Sequence, residues 1–287
     1  MKAIYKKEVK SYLTSMIGHV FIFFILLLEG IYFTAYNLQN AYPLFGTTLS
    51  AVTFIFLILV PVLTMKTIAE ERKQKTDQLL LTAPVSVSEI VLGKFLAVAT
   101  VYAIPVLIIC LYPMIMGKYG TVSYAMAYTA VLGFALLGFA QIAVGVFWSS
   151  VTENPVIAAV VTFIVLFVCY MITGIGSLIP DSSMASLACY MLLVLLAAVW
   201  IYHMIRNLWI AAVIGIAGEA ALAITYVVKS TLFEGSIQKF LSVFDITSHF
   251  DNFTNGILDL QGVVYFLSVI IIFLVLTVQT ITKRRWN

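Results

Sequence analysis

An all-α, polytopic membrane protein is what this sequence predicts, on three observations. The 287 residues are 62% hydrophobic and 10% charged, with a mean hydropathy of +1.07, whereas a soluble domain is about half apolar and about a quarter charged. Apolar runs of about 20 residues, the length that crosses a hydrocarbon core, recur along the chain. The charges gather between those runs and at their ends.

Eight stretches qualify as spans: 17–36, 47–65, 92–115, 124–148, 156–179, 185–202, 207–228 and 262–282. The first follows a lysine-rich flank but is too long for a signal-peptide core, so it reads as a retained helix. Pro61 is expected to kink the second span, and Pro105 and Pro113 the third. In the fourth, Ala135, Gly138 and Gly145 form a strip of small residues, the pattern that lets helices approach closely. Packing is the first reading of that strip and a path lining the second. The sixth and seventh spans are parted only by His203, Arg206 and Asn207, enough for a tight turn between antiparallel helices. Residues 229–261 form the one sizeable loop on the far side, and its phenylalanines (Phe233, Phe240, Phe244, Phe250, Phe253) are expected to rest on the outer leaflet.

Before the first span, residues 1–16 read as a helix lying on the membrane. At 100° per residue Tyr5, Val9, Tyr12, Leu13 and Met16 share one arc, and Lys6, Lys7 and Lys10 another. With a cytoplasmic N-terminus, all but three of the 16 lysines and arginines fall on the cytoplasmic side. Only Lys118, Lys229 and Lys239 fall on the other, so both termini are expected inside. The three cysteines, Cys110, Cys169 and Cys189, lie in apolar runs, an odd number with no CxxC pair. Their expected role is packing.

Between the second and third spans lies the densest charge, AEERKQKTDQLLLTAPVSVSEIVLGK, Ala69 to Lys94. A short amphipathic helix, a break at Pro84 and a new helix capped by Ser86 or Ser88 are the natural reading. Mixed charges followed by Leu79, Leu80 and Leu81 suit a contact better than a solvated loop. This stretch resembles the signature of ABC type-2 transporter permeases: acidic residues, a threonine, a leucine pair, a proline, then Gly-Lys at the opening of the third helix. The C-terminal run from Phe244 is similar to the branch that includes gliding-motility-associated permeases and the permease of nitrous-oxide-reductase assembly.

The resemblance covers about residues 1–180 and 240–287. It implies an ABC type-2 exporter-like bundle, a six-helix core, to which 185–228 would add a pair. It also implies a permease in a bacterial cytoplasmic membrane. Partners would be cytosolic ATPase subunits that hold the ATP and magnesium, a second permease copy or paralogue, and the bilayer; no nucleic acid is implied. Residues 66–91 would be the coupling region, with Glu70, Glu71, Thr76, Leu79, Leu80 and Pro84 at the coupling positions. Gly93 and Lys94 would open the third helix.

The motor is not in this sequence. A phosphate-binding loop G-x-x-x-x-G-K-[ST] needs glycine amides and a lysine around the phosphates. Gly93-Lys94 and Gly117-Lys118 are followed by Phe95 and Tyr119 and lack the upstream glycine, so no cofactor is expected on this chain. No catalytic motif or convincing metal cluster emerges. Asp245, His249 and Asp251 are expected to be solvated or capping, with a cation site as the other reading.

Three polar residues lie inside spans: Glu29, about 18 Å along the first, Gln141 in the fourth and Glu219 in the seventh. A carboxylate at that depth must face protein, water or a partner. They are candidates for a translocation path, and the other reading is a neutral or hydrogen-bonded residue inside the bundle. A secondary transporter or an intramembrane lipid-modifying enzyme stays open as an alternative. The first should show internal repeats, the second a cluster of catalytic side chains.

Overall fold

The computed structural model describes residues 1–77, 85–205 and 207–285. All regular structure among them is helical. The helices are α1 (Lys2–Thr14), α2 (Met16–Tyr32, continued as a π-helix over Phe33–Gln39), α3 (Phe45–Thr53), α4 (Phe56–Thr64) and α5 (Ala69–Lys73). Next come α6 (Val87–Ile109), α7 (Tyr112–Met116), α8 (Tyr124–Val151) and α9 (Pro155–Ser177). Then follow α10 (Ser183–Ile205), α11 (Leu208–Val228), α12 (Ser236–Ser242), α13 (Asp251–Thr254) and α14 (Leu260–Arg285). Among the described residues five helical stretches are long and apolar enough to span, 16–39, 87–116, 124–151, 155–177 and 260–284, or up to seven spans if each of two bent pairs is one.

The second predicted span is a bent pair, with α3 and α4 meeting at 60°. The bend falls at Phe54–Ile55 and not at Pro61, which sits inside α4. Around it the ladder tightens to i→i−3 bonds, Ile55 N–H to Val52 O (3.0 Å) and Leu57 N–H to Phe54 O (3.2 Å). A proline ring crowds the carbonyl four residues earlier, so the strain is relieved one to two turns upstream. In the third span Pro105 is absorbed inside α6, whereas Pro113 sits in the first turn of α7, just past the break at Cys110–Leu111.

The chain forms two compact units, residues 1–168 with 246–287, and residues 169–245. In the first, α8 is the central post, packed against α3, α4, α6, α13 and α14. Its small residues explain how. A Cβ on Gly138 would lie 2.2 Å from the Tyr102 ring, and one on Gly145 2.2 Å from Thr64 Oγ1. At Gly138 and Gly145 the strip is filled by neighbouring side chains, as the packing reading expects. Tyr102 is fully buried, donates to Phe134 O (2.7 Å) and meets Phe56 and Phe139 edge-on.

In the second unit α10 and α11 form an antiparallel hairpin, with Gly215 against Ala198 and Gly218 against Val194. Asn207 Oδ1 accepts from Trp209 N–H (3.0 Å) and starts α11. The phenylalanines of residues 229–261 divide. Phe233, Phe250 and Phe253 are buried in protein, while Phe240 and Phe244 are exposed. The expectation that all five rest on lipid is thus corrected: Phe250 and Phe253 pack on α8 and α14, where Gly133 and Gly262 leave them room.

Candidate functional site

The stretch from Met65 to Asp77 leaves α4 and is tied down at nearly every turn. Ser149 of α8 accepts from the Ile68 and Ala69 amides (3.1 Å each) and donates to Met65 O (3.1 Å). One hydroxyl so occupies the unpaired groups where α4 ends and α5 begins, which buried backbone requires.

Two charge clusters follow. Lys94, 1% exposed, reaches Glu71 (2.9 Å), Glu8 of α1 (3.1 Å) and the Thr67 carbonyl (2.7 Å). Lys7 joins them, 3.2 Å from Glu71. Two lysines and two glutamates thus neutralise each other, which a buried charge needs. In the second, buried Arg72 donates to Ser150 O (2.5 Å) and Thr152 O (2.9 Å) and pairs with Glu153 (3.1 Å). Arg284 at the end of α14 binds the same carboxylate (2.9 Å). Bonds from Arg284 and Arg72 hold the Glu153 carboxyl below its ordinary range. Burial pulls the Arg72 guanidinium down, yet arginine starts so high that it stays charged.

α1 closes the arrangement. Tyr12 is buried and its hydroxyl lies 3.2 Å from Leu63 O, to which it donates, and 3.1 Å from Thr67 Oγ1. Burial raises that phenol, so it remains a donor. Tyr5 meets Thr100 (3.0 Å), and Gly93 lets Ile4 and the Met1 carbonyl come close. The arc read from the sequence is split. Tyr12 is buried, but Leu13 and Met16 are exposed; α1 ends at Thr14 and the chain turns extended at Ser15 before Met16.

Of the six coupling candidates, Glu71 faces the bundle through Lys94 and Lys7. Glu70 pairs with Lys66 (3.7 Å) on the surface, and Thr76 donates to Glu71 O (3.3 Å). Leu79, Leu80 and Pro84 lie outside the described residues. Of the anchoring residues, Glu8, Ser149, Glu153 and Arg284 were not singled out from the sequence, and Tyr12 was read only as part of the membrane-facing arc. The available signal was Lys94 itself, a cation two turns inside an apolar span that must find carboxylates.

Glu29 is fully buried in α2, and neither carboxyl oxygen has a hydrogen-bond partner among the described residues. Gln141 is buried in α8 with its Oε1 unpartnered, and Glu219 lies in the second unit with both oxygens unpartnered. Among the described residues neither glutamate makes the hydrogen bond that one reading expects. Asp245, also in the second unit, accepts from Thr173, and His249 stacks on Tyr265 at 3.7 Å.

No curated protein matches this chain. A known family does: the description "ABC-2 family transporter protein" fits residues 2–284, a range that includes the 185–228 pair. With helices of spanning length on the page, the chain is an integral membrane protein that belongs to the ABC-2 transporter family, as a permease subunit.

Proposed function

We propose that this permease is an exporter subunit of a bacterial cytoplasmic membrane, moved by a separate cytosolic ATPase that holds ATP and magnesium and seats against residues 66–91. Both termini are cytoplasmic, and a second copy or paralogue completes the route. The observation that carries the reading is the double anchorage of the coupling stretch, by Lys94 to α1 and α6 and by Arg72 to α8 and α14. A push on a free loop is dissipated. A push on this one reaches four helices at once.

The test is Leu80→Asp. A charge placed in a water-excluding contact costs several kcal/mol unless paired, so the variant should reach the membrane at normal levels yet lose ATPase co-purification and transport. Wild-type pull-down together with wild-type transport would reduce the segment to a charged loop. Topology is checked separately. A cysteine at Lys118 should react with an impermeant external reagent and one at Lys73 should not, and the reverse pattern would overturn the orientation.

A further inference from the structure

The docked face of α1 uses the one acid that the helix carries. Glu8 reaches buried Lys94, and Lys7 stands between Glu8 and Glu71. The outward face is left with Lys2, Lys6 and Lys10, all exposed, and among the described residues none of the three has an ion pair. Spaced four residues apart, they climb the helix in steps of about 6 Å and share an arc of about 80° at about 100° per residue. Leu13, exposed as well, falls within that arc.

Two attachments hold this face beside the bilayer. Through Ser15, α1 runs into α2, which opens the spanning stretch 16–39. Tyr5 meets Thr100, about 20 Å along α6 from Val87 and inside the spanning stretch 87–116. Lysines held at that level send their ammonium groups to the headgroups, and a cationic row with an apolar residue among it suits an anionic membrane surface. A headgroup of net negative charge answers the unpaired cations, whereas a zwitterionic one brings its own cation and no net charge. We propose that the outward face of α1 binds anionic phospholipids, with headgroup phosphates seated along Lys2, Lys6 and Lys10. An acidic protein segment would match the charge alone; the attachment to two spanning stretches and the exposed Leu13 favour lipid.

The test uses the full chain in detergent, titrated with phosphatidylglycerol or with phosphatidylcholine of the same acyl chains. Retained lipid is counted by native mass spectrometry. One lysine near an anionic surface contributes about fivefold, so two of them on one headgroup should favour phosphatidylglycerol by on the order of tenfold or more. Lys2→Gln, Lys6→Gln and Lys10→Gln together should bring the two lipids close to parity. Lys118→Gln, Lys229→Gln and Lys239→Gln, which remove the same charge from other exposed positions, should leave the preference intact. In the wild type, salt raised from about 0.1 to about 1 M shortens the screening length from about 10 to about 3 Å and should erode the preference. Equal retention of the two lipids by the wild type, or a preference that survives the α1 triple variant, would overturn the proposal. A preference lost equally in both triple variants would make it an effect of net charge and overturn it too. If the α1 variant keeps its lipid preference and instead loses a co-purifying protein, the face is a protein-docking surface. Neither an ATPase nor a direction of transport enters the lipid measurement, so the exporter reading stands or falls separately.

Discussion

Lys94→Met should deplete the permease from the membrane and lower the thermal midpoint of what remains in detergent. Methionine keeps the length of the side chain and removes the charge that Glu8 and Glu71 share. Their side chains are 12% and 16% exposed, so little water replaces it. Breaking a buried ion pair from one side typically costs 3–5 kcal/mol. Because Lys7 still faces both carboxylates, about 3 kcal/mol is expected here. The same principle supplies the rescue. Exchanging a whole buried ionic cluster for neutral groups of similar volume is often close to neutral, so Glu8→Gln and Glu71→Gln added to Lys94→Met should recover most of the loss. If the triple variant is no better than Lys94→Met alone, the lysine acts through something other than these carboxylates.

Gly138→Ala should be nearly as damaging, for a steric reason. The added carbon would lie 2.2 Å from Tyr102 Cζ and 2.4 Å from its hydroxyl oxygen. That ring cannot swing away. It is fully buried, wedged among Phe21, Phe56, Phe134 and Phe139, and held by its bond to Phe134 O. Either α6 and α8 separate or the hydrogen bond breaks. Overpacking costs about 1–3 kcal/mol and the lost bond about 1 more. Gly174→Ala in α9 is the internal control, because its Cβ would meet nothing within 4 Å. Equal thermal midpoints for the two variants would show that the α6–α8 contact is slack.

The long apolar helices were legible because lipid imposes a length and a composition on each span that few other constraints can disguise. Where two readings competed, local pattern decided less than tertiary contact. Pro61 was legible as a source of strain, but where the strain is released depends on which turn can tighten. The loop phenylalanines were read as lipid-facing from their chemistry, yet Phe250 and Phe253 enter the space left by Gly133, more than a hundred residues before both, and Phe253 also that left by Gly262, just after it. The coupling stretch stood out by its charge. What could not be read was that Glu71 and Arg72, neighbours in the chain, join two different charge clusters. Their partners, Glu8, Lys94, Glu153 and Arg284, are spread from one end of the sequence to the other.

The docking of α1 sets an order for biosynthesis. Although α1 is made first, each group that holds it is made much later: Leu63 follows Tyr12 by 51 residues, Lys94 follows Glu8 by 86, and Thr100 follows Tyr5 by 95. At translation rates of about 5–20 residues per second, the amphipathic helix spends on the order of ten seconds without its seat. During that interval its lysines and exposed apolar residues have only headgroups and water to meet. A nascent chain arrested before Lys94 therefore carries α1 unmoored, and the segment settles into place only when the third span has been threaded behind it.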